Sequence, residues 1–410
     1  MDLGTLRHVR LRVQGLRRPF DATAPEVVRR FVAVQAQEFV PAQWGLAARV
    51  PTGQRPDATS VAAALDRGEI LRTHVLRPTW HFLHPGDARW VMELSAERVH
   101  RANATYYRRV GLEGETATRA LDLVAESLAG GHRTRAQLLA ALEQGGLPLS
   151  GLAVTYVLML AELERIAISG ANVGKQRTYA AFDERVPASP PRPRDEALAE
   201  LAGRFIASRG PVTDRDFSAW SGFTLGDTRA AFDAVVDASG GRVQLVEVEG
   251  VTHWHDAEVT DAAAARGALG DADAMASRDA LSDPDAATAL PTGEPSRTEQ
   301  LGGAPVDAPV VDLLQAYDEY IMGYAAPRAY LLPPGLDGVH AEFPLHALMI
   351  DGVMAGRWAP VMTGKRAVLR VVPWRAFSPA EERSLAASVA EVERFLGVPV
   401  TIEREEPVKP

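Results

Sequence analysis

The chain has 410 residues, too many for one ordinary hydrophobic core, so three or four units are expected. It has no cysteine, which excludes disulfides, thiolate metal sites and a cysteine nucleophile. The net charge of −9 taken alone argues against a nucleic-acid binder, but residues 1–110 carry 17 arginines and no lysine against 10 acidic residues, a balance of +7 that leaves −16 on the other 300. Such segregation suggests that one end of the chain meets a polyanion, with chance as the competing explanation. The longest apolar run, residues 152–163, is too short to span a bilayer and contains Glu162. The N-terminus lacks the apolar core of a signal peptide, and a cytoplasmic, monomeric protein is expected.

In chain order, residues 3–16 read as a helix decorated with Arg7, Arg10, Arg17 and Arg18. Thr23 and Glu26 form a capping-box pattern with Pro25 in the first turn, and Val27, Val28, Phe31 and Val32 supply that helix's apolar face. Pro41 suits the first turn of the next helix, at 41–49, and Thr59 or Ser60 caps a third that stops at Gly68. A strand at 70–75 turns through Arg77-Pro78-Thr79 and returns at 80–84. Three helices followed by a hairpin make a winged helix. Residues 114–182 repeat the plan, with a second capping box at Thr134 and Gln137, and residues 190–257 repeat it again, with Thr213 and Asp216 as the cap.

The predicted class is therefore mainly α with β-hairpins (α+β). It comprises three winged helices (1–112, 113–188, 189–257), a linker or loose insertion rich in Ala, Asp, Gly and Pro (258–305), and a C-terminal mixed α/β or small β-barrel-like unit (306–410). In that last unit Asp351-Gly352 marks a tight hairpin, and Ser378 with Glu381 opens a helix to residue 396.

The stretch Phe31–Leu46 holds two glutamines, Gln35 and Gln37, either side of one small apolar residue. Each amide carries a donor and an acceptor and cannot change its charge, so the pair can hold one water or one polar base edge. In a regular helix such positions diverge, whereas in extended or bent backbone they can share a side. The pair is expected at the end of one helix and in the bend before the next. The plain alternative is that one amide caps a helix end and the other is solvated. Glu38 reads as a solvated charge and Trp80 as core.

The runs Val34-Gln35-Ala36-Gln37-Glu38, Pro41-Ala42-x-Trp44-Gly45-Leu46 and Arg72-Thr73-x-x-x-Arg77-x-Thr79-Trp80-His81 resemble the AlkZ-like family of bacterial DNA glycosylases. A sister subfamily, YcaQ-like, has aspartate where this chain has Gln37. The resemblance implies tandem winged helices set in a C around a DNA channel. It also implies excision of alkylated purines and interstrand crosslinks from double-stranded DNA, with Gln35 and Gln37 as the catalytic pair. An N7-alkylated purine is already cationic, so oriented dipoles can suffice where a neutral base would need a carboxylate. No cofactor is implied.

Arg72, His74, Arg77, Thr79 and His81 lie on or beside the first hairpin and are the candidate DNA contacts, because wings track phosphates or enter grooves. For the arginines the alternative is surface ion pairing, and for His81 a half-buried, hydrogen-bonded strand position. A segment from Asp318 to Arg328 either lines the channel or packs the last unit on the others, with Asp318 and Arg328 pairing internally. No metal is expected, since His81/His84 and His253/His255 each lack a third ligand. The competing functional reading is a non-catalytic winged-helix DNA-binding protein or transcriptional regulator.

Overall fold

The computed structural model describes residues 1–149, 151–260, 308–333, 346–363 and 365–407. Of the expected linker, residues 261–305 lie outside the described residues.

Helix α1 (Leu3–Val13) leads into α2 (Ala24–Phe31), which starts at the Thr23/Glu26 capping box as the sequence predicts. Beyond α2 the chain departs from expectation. Val32 takes φ 64° and ψ −57°, a conformation that β-branched residues avoid, and the backbone swings into a strand, β1 (Ala33–Gln35). Helix α3 (Phe39–Ala47) then begins at Phe39, with Glu38 as its N-cap, two residues before Pro41. Helix α4 (Ala58–Arg67) is capped by Asp57, whose carboxylate accepts from the Ser60 N–H, and ends on left-handed Gly68.

Strands β2 (Leu71–Val75) and β3 (Arg77–Leu83) form the hairpin. Its turn sits at Leu76 (φ 61°), Val75 pairs with Arg77, and a register shift after His74 leaves Pro78 and Thr79 as a bulge beside it. The sheet order β1–β3–β2 places β3 in the middle. A 25-residue helix, α5 (Pro85–Arg109), follows where sequence reading assigned no element.

The same order of helix, strand, helix, helix, strand, strand recurs. It runs through α6 (Gly114–Ala129), β4 (Arg133–Thr134), α7 (Arg135–Gln144), α8 (Leu152–Leu163), β5 (Ala167–Ser169) and β6 (Thr178–Ala181), with sheet order β4–β6–β5. After the short α9 (Phe182–Arg185) come α10 (Arg194–Arg209), α11 (Asp214–Ser221), α12 (Leu225–Ala238), β7 (Val243–Val248) and β8 (Val251–Asp256). Here the first strand is reduced to a single bridge between Val212 and Trp254.

The C-terminal part is a five-stranded sheet with β9 (Val311–Leu313), β10 (Ala347–Ile350), β11 (Val353–Thr363), β12 (Arg366–Pro373) and β13 (Val400–Arg404). Its order is β13–β12–β11–β10–β9, parallel only between β12 and β13. The short α13 (Glu319–Met322) follows β9, and α14 (Pro379–Leu396) packs on the sheet.

The buried apolar clusters cut across these segments. One joins α2, α3 and α4 to the C-terminal sheet and α14, with the rings of Trp44 and Phe395 5.5 Å apart. Another joins α1, the first hairpin, α10–α12 and residues 314–354. The residues of α6–α8 keep a core of their own. Helix α3 is thus the seat of the C-terminal segment. The Trp44 indole N–H donates to Leu313 O at 2.7 Å, and a Cβ at Gly45 would lie 3.1 Å from Gln315 Cγ.

The charge asymmetry resolves in the same way. Arg10 pairs with Asp216 (3.5 Å), Arg17 with Asp312 (2.8 Å), Arg49 with Asp318 (2.7 Å), Arg55 with Glu391 (2.9 Å) and Arg89 with Asp183 (2.6 Å). Much of the N-terminal surplus is matched to acids beyond residue 110 within the molecule, which weakens it as a sign of a polyanion surface.

Candidate active site

Gln35 is not at a helix end. It is the last residue of β1, directly opposite His81 on β3, and is 2% exposed. Its backbone N–H donates to Glu319 Oε1 at 3.0 Å, and its carbonyl accepts from Gln315 Nε2 at 3.5 Å. The same Glu319 carboxylate accepts from Arg209 (2.7 Å) and from the Trp220 indole N–H (3.1 Å) through Oε2.

Arg209, fully buried, also donates to Phe31 O (3.2 Å) and Ala33 O (3.1 Å), the carbonyls on either side of Val32. Burial lowers the affinity of this guanidinium for its proton and Glu319 works against that shift. The inverted Val32 and the strand after it are therefore held by groups from α10, α11 and the C-terminal segment.

Gln37 is exposed and lies just past the strand. Pairing with β3 continues through Ala36, whose N–H donates to Trp80 O at 2.8 Å. The next rung is made by a side chain: Gln37 Oε1 accepts from the Trp80 N–H at 3.2 Å. Gln37 Nε2 has no partner among the described residues. Arg72 fastens the backbone from below, with Nε donating to Ala36 O (3.0 Å) and Nη2 to Gln37 O (3.3 Å). Its guanidinium lies 4.1 Å from the Trp80 ring centroid, and burial, then the nearby Arg177, pull its pKa down to about 10.

The first hairpin divides the other candidates between its two faces. Arg72 and His74 lie on the face of Val34, Phe82 and Trp80; Thr73 and His81 share the face of Gln35, and Thr79 lies in the bulge. His74 is buried, with Nδ1 2.5 Å from Glu162 Oε2 of α8 and its ring 3.9 Å from that of Trp80. Trp80 is half-buried in this stack, not in the core.

His81 is fully buried, more so than expected. Nδ1 donates to Thr79 O at 2.9 Å, which leaves Nε2 with its lone pair. Burial and then the neighbouring Arg77 push its pKa down to about 3, so the imidazole is neutral at any working pH. Arg77 is half-buried, and its own affinity for the proton is lowered by burial while Glu319 opposes the shift.

Two further expectations change. Glu38 is paired with His346 (2.9 Å). Asp318 is held by Arg49 through both oxygens, at 2.7 and 2.9 Å, while Arg328 Nε donates to Ile321 O. Among the described residues no group of three or more His, Cys, Asp or Glu is placed to hold a metal ion, and no helix is long and apolar enough to cross a membrane.

The family model described as "DNA glycosylase AlkZ-like" matches residues 28–395. The chain belongs to the AlkZ-like DNA glycosylase family. Membership makes it a DNA glycosylase, and the three sequence runs that carry the resemblance all fall inside the matched region. Among solved structures it resembles Streptomyces sahachiroi DNA glycosylase AlkZ, at 20% identity and a TM-score of 0.70, over 98% of this chain and 100% of that one. At that identity the likeness establishes the fold. No curated protein sequence matches.

Sequence reasoning missed three residues of this neighbourhood. Arg209 gave no signal, because Phe31, Ala33 and Glu319 lie more than a hundred positions away, and Glu319, inside the Asp318–Arg328 segment noted above, shows no sign there of its partners Arg209, Trp220 and Gln35. Arg177, exposed in the loop before β6, lies with its guanidinium 4.3 Å from the Phe39 ring centroid, close in sequence to Gln37. An arginine beside an aromatic is a visible pattern only once the two segments are folded together.

Proposed function

We propose that this glycosylase hydrolyses the N-glycosidic bond of alkylated purines in duplex DNA, N7-alkylguanine above all and interstrand crosslinks among them, with water as nucleophile. We read the three recurring element orders as winged helices over 1–112, 113–188 and 189–257, and 306–410 as the C-terminal unit that locks them. The observation that carries the reading is the state of Gln37. One lone pair of its carbonyl oxygen is committed to the Trp80 N–H, the other remains to accept from a water, and its amide protons are left for solvent or substrate.

A water that donates to Gln37 Oε1 keeps an oxygen lone pair for C1′. As that C–O bond forms, the C1′–N9 bond breaks with its electrons passing to the purine. This neutralises the cation on the alkylated ring, and the water's second proton goes to solvent. Because the leaving group carries its own positive charge, fixed dipoles are enough and no carboxylate acid is needed.

The reaction is read as monofunctional: the chain has three lysines, Lys175, Lys365 and Lys409, none of them in the glutamine motif. Arg72 and His74, both buried and bound by protein groups, are read as supports of the motif. Arg177 is the better candidate for a phosphate contact.

The test is base release from duplex DNA carrying N7-methylguanine, and from a nitrogen-mustard crosslink, by wild type beside Gln35→Ala and Gln37→Ala. Each substitution is expected to slow single-turnover release about a hundredfold, or about 2.7 kcal/mol of transition-state stabilisation. No release from either substrate would overturn the proposal, and sequence-selective binding of undamaged DNA would then favour a regulator.

A further inference from the structure

Six buried side-chain atoms with no hydrogen-bond partner among the described residues occur on the Gln35 face of the first sheet and in the adjoining turn and bulge: Gln35 Nε2, Thr73 Oγ1, Arg77 Nε and Nη2, Thr79 Oγ1 and His81 Nε2. Elsewhere such atoms are scattered. The register explains the grouping. On central strand β3, His81 stands opposite Gln35 of β1 on one side and opposite Thr73 of β2 on the other. Directly opposed residues point to the same face with their Cβ atoms about 4.5–5.5 Å apart. Thr73, His81 and Gln35 therefore form one polar row across the sheet, at 0%, 0% and 2% exposure.

Buried polar atoms in folded proteins almost always have a partner. A row of three without one, not bonded to each other and sealed from bulk solvent, meets the condition for a structural water, which needs two to four polar neighbours. The donor and acceptor roles are complementary. His81 Nδ1 is spent on Thr79 O, so Nε2 can only accept. Gln35 Nε2 can only donate. The Thr73 hydroxyl can do either.

We propose that the row Thr73–His81–Gln35 binds one water molecule, and that through it His81 and Thr73 are positioning residues for the Gln35 amide. This deepens the glycosylase reading and rests on it. The water donates to His81 Nε2, accepts from Gln35 Nε2 and exchanges a third bond with the Thr73 hydroxyl. An isolated amide can turn over and exchange its ends. With its NH2 tied to the water, Gln35 has one orientation, and its carbonyl is the end left for the reaction. The neutral imidazole suits this task, since a protonated ring would offer a second donor where an acceptor is required.

The experiment measures single-turnover release of N7-methylguanine, DNA affinity and thermal midpoint for wild type and four variants. His81→Asn keeps a donor for Thr79 O and removes the Nε2 acceptor. We expect it to lose about 10–100-fold in rate with affinity within about twofold of wild type. His81→Gln restores an acceptor oxygen near the Nε2 position and is expected to recover to within about fivefold of wild type. Thr73→Val keeps the shape and removes the hydroxyl, for a loss of about 3–10-fold, and Thr73→Ser recovers it.

His81→Asn or Thr73→Val at the wild-type rate would overturn the proposal. So would losses matched by falling affinity and thermal midpoint, because that pattern belongs to a structural role. If His81→Asn does not fold, the Thr73 pair decides. Active wild type with unaffected variants refutes the water site alone; inactive wild type refutes the glycosylase reading and takes this inference with it.

Discussion

Replacing Glu319 by glutamine tests whether the candidate motif is held from outside its own sheet. Glu319 and Arg209 are 1% and 0% exposed at the side chain and their closest atoms are 2.7 Å apart. One carboxylate oxygen takes Arg209 and Trp220, the other takes the Gln35 N–H. A glutamine of the same shape has one carbonyl and one NH2. Whichever way it turns, a donor faces a donor, either Gln35 N–H or the arginine, and Arg209 is left as a buried cation without a counter-charge. Breaking a buried pair in this way costs about 3–5 kcal/mol, roughly two to three and a half powers of ten in the folding equilibrium.

The assay is urea unfolding followed by circular dichroism and tryptophan fluorescence. It is run on Glu319→Gln, Glu319→Leu, Arg209→Met and the double variant Arg209→Met/Glu319→Leu. Removing both partners should cost less than the two single losses together, with a coupling of about 2 kcal/mol or more. Glu319→Gln should also slow base release beyond its effect on folding, because the Gln35 N–H loses its acceptor. A loss of stability below about 1 kcal/mol, or additive single and double losses, would refute the clamp.

The remaining predictions concern the two faces of the hairpin. Arg72→Met removes both the charge and the fork that grips Ala36 O and Gln37 O. It should cut single-turnover release about tenfold while leaving the salt dependence of DNA binding unchanged, whereas a phosphate contact would lose about one unit of that slope. His81 gives a pH signature. Its folded pKa of about 3 lies below the unfolded 6.5, so above pH 6.5 neither state binds the proton and the group has no effect. Below 6.5 only the unfolded chain takes it up, and stability falls by about 1.4 kcal/mol per pH unit, or about 2 kcal/mol from pH 6.5 to pH 5. His81→Asn lacks this term, so unfolding measured at pH 7 and pH 5 should show the gap to wild type shifting in the variant's favour by about that amount. An unchanged gap would mean that His81 is not buried neutral.

What could be read in the sequence, and what could not, divides by the range of the interaction. The capping boxes at Thr23, Thr134, Thr213 and Ser378 all appear where the sequence placed them, because each is closed within four residues. Strand β1 could not be read. Nothing in Phe31-Val32-Ala33 asks for a reversal at Val32, and the groups that hold it, Arg209 and Glu319, come from far along the chain. The surplus of N-terminal arginines was visible as a number, but a count of charges cannot show that Arg17, Arg49 and Arg55 are matched to Asp312, Asp318 and Glu391.

The glutamine pair stood out by its spacing, its catalytic assignment came through family resemblance, and the structure separates its members. Gln35 is sealed in the sheet and Gln37 stands at the surface. The doublet Asp318-Glu319 shows why the two must be understood together with the C-terminus. Its first carboxylate binds Arg49, which follows α3, and its second binds Arg209 at the end of α10 and the backbone of Gln35. Two adjacent acids thus draw the segments flanking the glutamine motif onto one short helical turn, α13. Both carboxylates of the Asp318–Glu319 turn are spent inside the protein, where they fix the backbone around the glutamine motif.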